Sequence, residues 1–174
     1  QCVDIVFAVV VSTPMIAYYS EIHQIIGVMI TASHNPYYDN GIKVFDKGYK
    51  TVDELELKIE DVMDNGPFDV LPVWGKLNLT DEVEKLYLEF YEKLELKPSK
   101  LHIVFDTANG ANFQIARKLF NKYHKHTLQI NDQPDGLNIN VNCGSTHMEM
   151  ITKTVLDKKA DIGFAFDGDA DRCL

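Results

Sequence analysis

A short acidic stretch offers the clearest chemistry in the sequence. It alternates three carboxylates with two small residues and ends in a guanidinium: Asp167, Gly168, Asp169, Ala170, Asp171 and Arg172. In an extended strand, alternate residues lie about 6.6 Å apart, whereas oxygens that share a Mg²⁺ ion lie roughly 2.0–2.1 Å from it. The carboxylates can therefore share one ion only if the backbone curls, and the small residues between them permit that curl.

The type of ligand restricts which ion this acidic loop could hold. Carboxylate oxygens suit Mg²⁺, Mn²⁺ or Ca²⁺ rather than zinc. An EF-hand loop also begins with alternate aspartates, but it needs glycine where Arg172 stands. A solvated acidic turn is the simpler interpretation, although three like charges so close together are costly without a counter-ion. We therefore predict a site for one Mg²⁺-class ion.

A second polar stretch, Thr31–Pro36, contains a serine hydroxyl that could carry a phosphoryl group. Pro36 disfavours a helix at this point, so Ser33 is expected in a loop. His34 could act as an acid or base, or simply hydrogen-bond within the loop. Lys43, the only cation in an apolar strand, could extend along the surface to water or bind a phosphate. A phosphoryl carrier and a cation site are complementary halves of one active site.

The composition is that of an ordinary globular protein: 174 residues, 45% hydrophobic and 25% charged, with a net charge of −9. The negative net charge disfavours nucleic acids and anionic membranes as partners. Three cysteines, Cys2, Cys143 and Cys173, are far apart and form no CxxC pair, so neither a disulfide framework nor a zinc site is expected. Cys143 has no evident His–carboxylate partner nearby. We expect reduced thiols in a cytoplasmic protein.

The hydrophobic pattern predicts an α/β fold. In the first half, strands are expected over residues 3–11, 25–30 and 42–45, with helices over 15–24, capped by Ser12 or Thr13, and 53–63. A linker containing Pro67, Pro72 and Gly75 is then expected up to Thr80. The pair Thr80-Asp81 should cap the next helix, whose aromatic stripe is typical of core packing rather than base stacking.

The second half alternates strands and helices. Strands are predicted over residues 101–105, 127–130 and 161–166, and helices over 111–123 and 148–158. This alternation is typical of a parallel sheet covered by helices and joined by right-handed crossovers. In such sheets, functional sites form beyond the carboxyl ends of the strands, and both polar stretches follow predicted strands.

These motifs together resemble the α-D-phosphohexomutase family. The resemblance rests on Thr31–Pro36, on Asp39–Lys43 and on the acidic loop at 167–172, with further counterparts at 12–14 and 106–111. It implies two mixed, mainly parallel β-sheet domains covered by helices, both incomplete: residues 1–78 for the later part of domain 1 with a linker, and 79–174 for domain 2. Domains 3 and 4 would be missing partners from the same protein.

The resemblance also implies a role for each candidate residue. Ser33 would carry the phosphoryl group and, with Asp167, Asp169 and Asp171, bind one Mg²⁺ ion. His34, Lys43 and Arg172 would line the catalytic site, with Lys43 either accepting a proton or stabilising charge. The sequence departs from the family at Ala170, where glycine is usual; a methyl group is tolerable there unless the position needs a positive φ.

The implied activity is interconversion of hexose 6-phosphate and hexose 1-phosphate through a phosphoserine and a bisphosphate, with a hexose 1,6-bisphosphate activator. The segments 134–140 and 144–147 are most like the phosphoglucosamine branch, so glucosamine phosphate is the expected substrate. Phosphomannomutase or phosphoglucomutase activity and a non-catalytic cation-binding module are the alternatives. We expect this stretch alone to be inactive. A homodimer is compatible with the resemblance.

Overall fold

The computed structural model describes residues 3–66 and 74–174. The elements within these ranges are β1 (Ile5–Phe7), α1 (Thr13–His23), β2 (Ile26–Ile30), β3 (Ile42–Asp46), β4 (Tyr49–Lys50), α2 (Asp53–Asn65), β5 (Leu77–Leu79), α3 (Glu82–Lys93), β6 (Ser99–Asp106), α4 (Phe113–Tyr123), β7 (His124–Ile130), α5 (Glu149–Lys158) and β8 (Ile162–Ala165). None of these helices is both long enough and apolar enough to span a membrane. Cys2, Pro67 and Pro72 lie outside the described residues.

The second half folds into the predicted parallel sheet. Its strand order is β7-β6-β8, and β6 pairs in parallel with both neighbours. Val104, Ile151 and Ala165 form a buried cluster under α5, while Phe105 stacks on Phe120 of α4 with ring centroids 4.2 Å apart. The crossover helices therefore fix the strands so that their carboxyl ends open at one edge.

The first half has an antiparallel sheet, β2-β3-β4, rather than consecutive buried strands. The prediction of a fully buried second strand is wrong: Ile26, Val28 and Ile30 alternate as exposed residues along β2. Helix α1 packs on the other face, where a Cβ atom on Gly27 would lie 3.0 Å from Ile16. A continuous apolar run therefore did not indicate burial on both faces.

The first strand is also shorter than predicted. β1 covers Ile5–Phe7 only, and its three residues are exposed. Val9 has a φ of +64°, which breaks the extended conformation two residues beyond the strand. A β-branched side chain rarely adopts this left-handed conformation, so the hydrophobic pattern could not reveal the break.

Replacing Val9 with glycine is expected to stabilise the fold. The left-handed conformation costs an L-residue roughly 1–2 kcal/mol, whereas glycine costs about 0.5–1 kcal/mol in lost chain entropy. Because Val9 is 64% exposed, little burial is lost. We expect the Tm to rise by about 2 °C in thermal unfolding followed by circular dichroism.

The neighbouring residue provides a matched control. Val10 is 61% exposed and is not among the residues with positive φ, so Val10→Gly should lower the Tm. Equal destabilisation by the two substitutions would show that Val9 carries no conformational strain.

Part of the predicted linker is a strand. β5 pairs in parallel with β1, with Ile5 opposite Leu77 and Phe7 opposite Leu79. The proposed division between residues 78 and 79 lies inside this strand. Gly75 is required just before it, because a Cβ atom there would lie 1.8 Å from the carbonyl oxygen of Val3. The short segments that precede β1 and β5 therefore lie against each other.

The two halves share a hydrophobic core. Met15 and Tyr19 of α1 pack with Val83 of α3 and Ile115 of α4, and the hydroxyl of Tyr19 donates a hydrogen bond to Glu82 at 2.9 Å. The aromatic side chains of α3 pack against α1 as well; Tyr18 and Phe90, for example, have ring centroids 5.1 Å apart. This shared core docks the Ser33 loop of one half onto the acidic loop of the other.

Candidate active site

The acidic loop curls as the metal hypothesis requires. Asp167, Asp169 and Asp171 present carboxylate oxygens that all lie within 4.8 Å of one another. Asp167 and Asp169 are completely or almost completely buried. Such a cluster of buried carboxylates needs positive charge nearby.

The methyl group of Ala170 stands at a position of positive φ. Its φ is +59°, which is the condition under which an alanine here is strained. Ala170 therefore keeps the backbone curl of the acidic loop at the cost of some strain.

The Ser33 loop meets the acidic loop directly. The hydroxyl of Ser33 donates a hydrogen bond to Oδ2 of Asp167 at 2.7 Å, although the two residues are 134 positions apart. Ser33 itself has a φ of +53°, and its N–H donates to Oγ1 of Thr31 at 2.9 Å. Strained backbone of this kind is often found where a side chain must be aimed at a reacting group.

Two cations accompany the carboxylates. Nζ of Lys43 lies 2.6 Å from Oδ2 of Asp169 and 2.7 Å from Oδ2 of Asp171. Nε of Arg172 is more distant, 4.0 Å from Asp167 and 3.9 Å from Asp171, while its backbone N–H donates to Oδ1 of Asp167 at 3.1 Å. Strand β3 thus delivers Lys43 to the position where positive charge is most needed.

Each charged group responds differently to burial. Burial raises the pKa of Asp167, and the neighbouring carboxylates Asp169 and Asp171 add to that shift. Burial would also raise the pKa of Asp169, but hydrogen bonds from Lys43 and Thr13 outweigh it and lower that pKa. Burial disfavours the charged form of Lys43, yet its hydrogen bonds to the two aspartates dominate and raise its pKa. Asp169 and Lys43 therefore form an ion pair at neutral pH.

His34 is the candidate residue that is least connected to this cluster. Its Nδ1 is buried and has no hydrogen-bond partner within residues 3–66 and 74–174. Among the described residues, no hydrogen bond joins the His34 side chain to Ser33, to Lys43 or to the carboxylates. The structure therefore brings together Ser33, the three aspartates and the two cations, and leaves the contribution of His34 a prediction.

Two residues of the site were not assigned a place in it from the sequence. The hydroxyl of Thr13 was considered as a helix cap, but it donates to Oδ2 of Asp169 at 2.7 Å, and its N–H donates to the carbonyl of Asp169 at 2.9 Å. Ser12 holds the N-cap position without a side-chain cap bond. Asn140 donates hydrogen bonds into the Ser33 loop. A hydroxyl before Pro14 was the available signal for Thr13; Asn140 had none.

Cys143 has no features of a nucleophile. It is 1% exposed, and burial, reinforced by the charge of Asp106, raises its pKa to about 12. A thiol so protected from ionisation is unreactive at neutral pH, which agrees with the prediction made from its sequence context.

A hard divalent cation fits the donor set of this site. The carboxylates supply only oxygen ligands. Oδ1 of Asp169 is buried and has no hydrogen-bond partner among the residues that the structure describes, which leaves an acceptor position inside the cluster. A serine hydroxyl lies beside this cluster, where loops that follow β-strands of both halves meet, and this arrangement is compatible with phosphoryl transfer.

Comparison with known proteins agrees with a site for phosphoryl transfer. Residues 1–69 match the family model described as phosphoglucomutase/phosphomannomutase, alpha/beta/alpha domain I, and residues 83–174 match the corresponding domain II. The chain therefore belongs to the phosphoglucomutase/phosphomannomutase family. The two matches end and begin on either side of the proposed division between residues 78 and 79.

Individual relatives are similar over nearly all of this chain. A phosphoglucosamine mutase of Caldicellulosiruptor bescii is 45% identical over 98% of the chain and 40% of its own length; one of Clostridium perfringens is 46% identical over 95% and 38%. The crystal structure of a phosphoglucomutase/phosphomannomutase family protein from Burkholderia thailandensis superposes with a TM-score of 0.79 at 26% identity, covering 98% of this chain and 39% of that one. The chain thus spans about 40% of the length of the curated relatives it matches.

Proposed function

We propose that this chain carries the phosphoserine and metal-binding halves of a phosphosugar mutase, which interconverts hexose 6-phosphate and hexose 1-phosphate. The observation that carries the proposal is the hydrogen bond from Ser33 to Asp167 inside a cluster of three carboxylates. A hydroxyl in direct contact with a hard-cation site is positioned to carry a phosphoryl group whose charge the cation would stabilise.

Ser33 is the proposed phosphoryl carrier. In the forward half-reaction, a hydroxyl of the hexose phosphate attacks phosphorus and loses its proton to a base. The bond from phosphorus to the Ser33 oxygen breaks, and that oxygen takes up a proton to become a hydroxyl. The resulting bisphosphate then returns its other phosphoryl group to the Ser33 oxygen. In the structure the Ser33 hydroxyl donates a hydrogen bond to Asp167, which holds the Ser33 oxygen beside the proposed cation site. The Ser33 hydroxyl proton passes to a base when Ser33 is phosphorylated again.

The other candidate residues would bind the metal ion or stabilise the charge on the phosphoryl group. Asp167, Asp169 and Asp171 would hold one Mg²⁺ ion, and a phosphate oxygen on Ser33 would complete its ligands. When bound, the ion supplies electrostatic stabilisation of the charge on the transferring group. Lys43 already bridges two carboxylates, which favours a charge-stabilising part for it over proton acceptance. Arg172 lies close enough to contribute in the same way.

Glucosamine phosphate is the proposed substrate, because the relatives of highest similarity named above are phosphoglucosamine mutases. A hexose 1,6-bisphosphate is proposed as the activator that first phosphorylates Ser33. The proposed alternatives are a phosphomannomutase or phosphoglucomutase preference, and a module that binds a cation without catalysis. Further domains of the same protein would be the partners that complete the active site.

Intact mass spectrometry tests the proposal. The chain is treated with phosphatase, incubated with Mg²⁺ and glucose 1,6-bisphosphate, and weighed before and after each step. We expect one phosphoryl group to be gained and to map to the peptide that contains Ser33. A chain that binds Mg²⁺ but gains no phosphoryl group would support the non-catalytic module instead.

We also expect this chain alone to show no sustained mutase turnover. Mutase chemistry needs the second phosphate of the sugar to be anchored at a distance, and such positioning can account for roughly 7–11 kcal/mol of a barrier. Arginine is the preferred anchor, and the sequence has only two. Arg117 is paired with Asp132 and Gln129, and Arg172 belongs to the acidic loop.

A coupled assay with glucosamine 6-phosphate, Mg²⁺ and a bisphosphate activator measures this turnover. The matched control is the same assay with a full-length relative, such as the Clostridium perfringens phosphoglucosamine mutase. Sustained product formation by the chain alone would mean that a second phosphate anchor lies within it.

A further inference from the structure

Asn140 connects the second half of the chain to the Ser33 loop. It is 7% exposed, and its own N–H donates to the carbonyl of Ala108 at 3.0 Å. Its backbone is left-handed, with a φ of +59°. Asparagine tolerates this conformation better than most residues, so the loop can present the carboxamide at low cost.

Both hydrogens of the Asn140 amide are used on the Ser33 loop. Nδ2 donates to the carbonyl oxygen of Ser33 at 3.0 Å and to that of Asn35 at 2.9 Å. Because both facing atoms are acceptors, only the NH₂ end of the amide can lie here. The same residue therefore ties two carbonyl groups of a loop that is more than 100 positions away in sequence.

The peptide groups on both sides of Ser33 are consequently fixed. Thr31 accepts the hydrogen bond of the Ser33 N–H, and Asn140 donates to its C=O. This restraint matters because Ser33 holds a φ of +53°, which a serine does not favour by itself. In this conformation the hydroxyl reaches Asp167.

The acidic loop packs against the same hydrogen bond. A Cβ atom on Gly168 would lie 2.7 Å from the Ser33 carbonyl oxygen and 2.8 Å from Nδ2 of Asn140. Glycine is therefore needed there so that the acidic loop can approach. The carboxylates, the carboxamide and the Ser33 backbone form one contiguous unit.

We propose that Asn140 is a positioning residue for Ser33: its carboxamide holds the Ser33 loop in the left-handed conformation that directs the hydroxyl at Asp167 and the cation site. The expected effect on Ser33 phosphorylation rests on the proposed function. The expected effect on the Ser33 loop rests on the hydrogen bonds alone. Asn140 touches neither the sugar nor the metal ligands' carboxylates in this scheme.

The decisive variant is Asn140→Asp. It keeps the size of the side chain but places a carboxylate oxygen against two carbonyl oxygens. Asn138→Asp is the matched control, because Asn138 lies in the same loop and its Nδ2 donates instead to the carbonyl of Gln133 at 2.9 Å. Asn140→Ala is the second variant, in case the buried charge of the first prevents folding.

Three measurements separate positioning from general support of the fold. Hydrogen exchange should become about tenfold faster or more at residues 31–36 when the donors are lost, and the rate of Ser33 phosphorylation by glucose 1,6-bisphosphate should fall by a similar factor. Calorimetry should find the Mg²⁺ affinity within about threefold of the original, since no ligand is removed. Asn138→Asp should leave all three unchanged.

Two results would overturn the proposal. One is unchanged exchange in the 31–36 segment of both Asn140 variants. The other is a loss of Mg²⁺ affinity as large as the loss of phosphorylation, which would indicate a general structural effect. If the unsubstituted chain gains no phosphoryl group, the proposed function fails, but the exchange measurement still decides whether Asn140 holds the loop.

Discussion

Ser33→Ala is expected to abolish phosphoryl uptake by the chain. The hydroxyl is the oxygen that would bond to phosphorus, and it is the group that Asp167 contacts at 2.7 Å. An alanine leaves nothing for the phosphoryl group to bond to, while the carboxylates and Lys43 remain. We expect intact mass spectrometry to detect no gain after incubation with Mg²⁺ and glucose 1,6-bisphosphate.

Ser145→Ala is the matched control for that experiment. Ser145 lies in the turn Gly144–Thr146, where its N–H donates to the carbonyl of Phe166 at 2.9 Å. Alanine keeps this backbone contact, and the hydroxyl of Ser145 makes no hydrogen bond to any of the described residues. We expect the control to gain one phosphoryl group at the normal rate. Uptake by Ser33→Ala at the rate of the control would show that another residue is the carrier.

Much of the site follows from residue types and spacing. Three aspartates at alternate positions predict a curled loop, because one ion cannot otherwise bind them all, and the structure curls there. Both loops follow strands, as predicted, but β2 belongs to a separate antiparallel sheet, so the rule for parallel sheets does not by itself place Ser33 against the acidic loop. Lys43 was conspicuous as the one cation in an apolar strand, and it is an ion-pair partner of Asp169 and Asp171.

What the sequence did not predict depends on contacts without a local pattern. Asn140 acts on carbonyl groups, which every residue possesses, so no feature of Ser33 or Asn35 signals the contact. Thr13 resembled a helix cap until the acidic loop was seen to approach the start of α1. In both cases the partner comes from the other half of the chain.

The dependence on contacts that have no local sequence pattern also explains the errors in the predicted fold. The sequence of an apolar strand does not distinguish a strand covered on both faces from one covered on a single face. The exposure of one face of β2 could therefore not be predicted. β5 is only three residues long and follows a region rich in proline, so its pairing with β1 depends on tertiary structure. By contrast, the β6–β8 region has long periodic elements, and there the predicted order and type of the elements are confirmed.

Asp169→Ala is expected to eliminate detectable Mg²⁺ binding. Asp169 lies between the other two carboxylates in sequence, is 1% exposed, and has an oxygen with no hydrogen-bond partner inside the cluster. Removing a residue that merely supports metal ligands typically costs 10–100-fold in affinity, so removing a ligand should cost at least about 100-fold. Titration calorimetry with MgCl₂ measures the change directly.

Thermal unfolding gives an independent measurement of the same loss. An ion that binds only the folded chain stabilises it by an amount that grows with the logarithm of the ion concentration over its Kd. The unsubstituted chain should therefore gain stability with added Mg²⁺, and Asp169→Ala should not. Asp157→Ala is the control, since it removes the same charge from an exposed position on α5. Mg²⁺ affinity and Mg²⁺-dependent stabilisation that survive in Asp169→Ala would place the ion elsewhere. The Ser33 hydroxyl would then be facing Asp167 for a reason other than phosphoryl transfer.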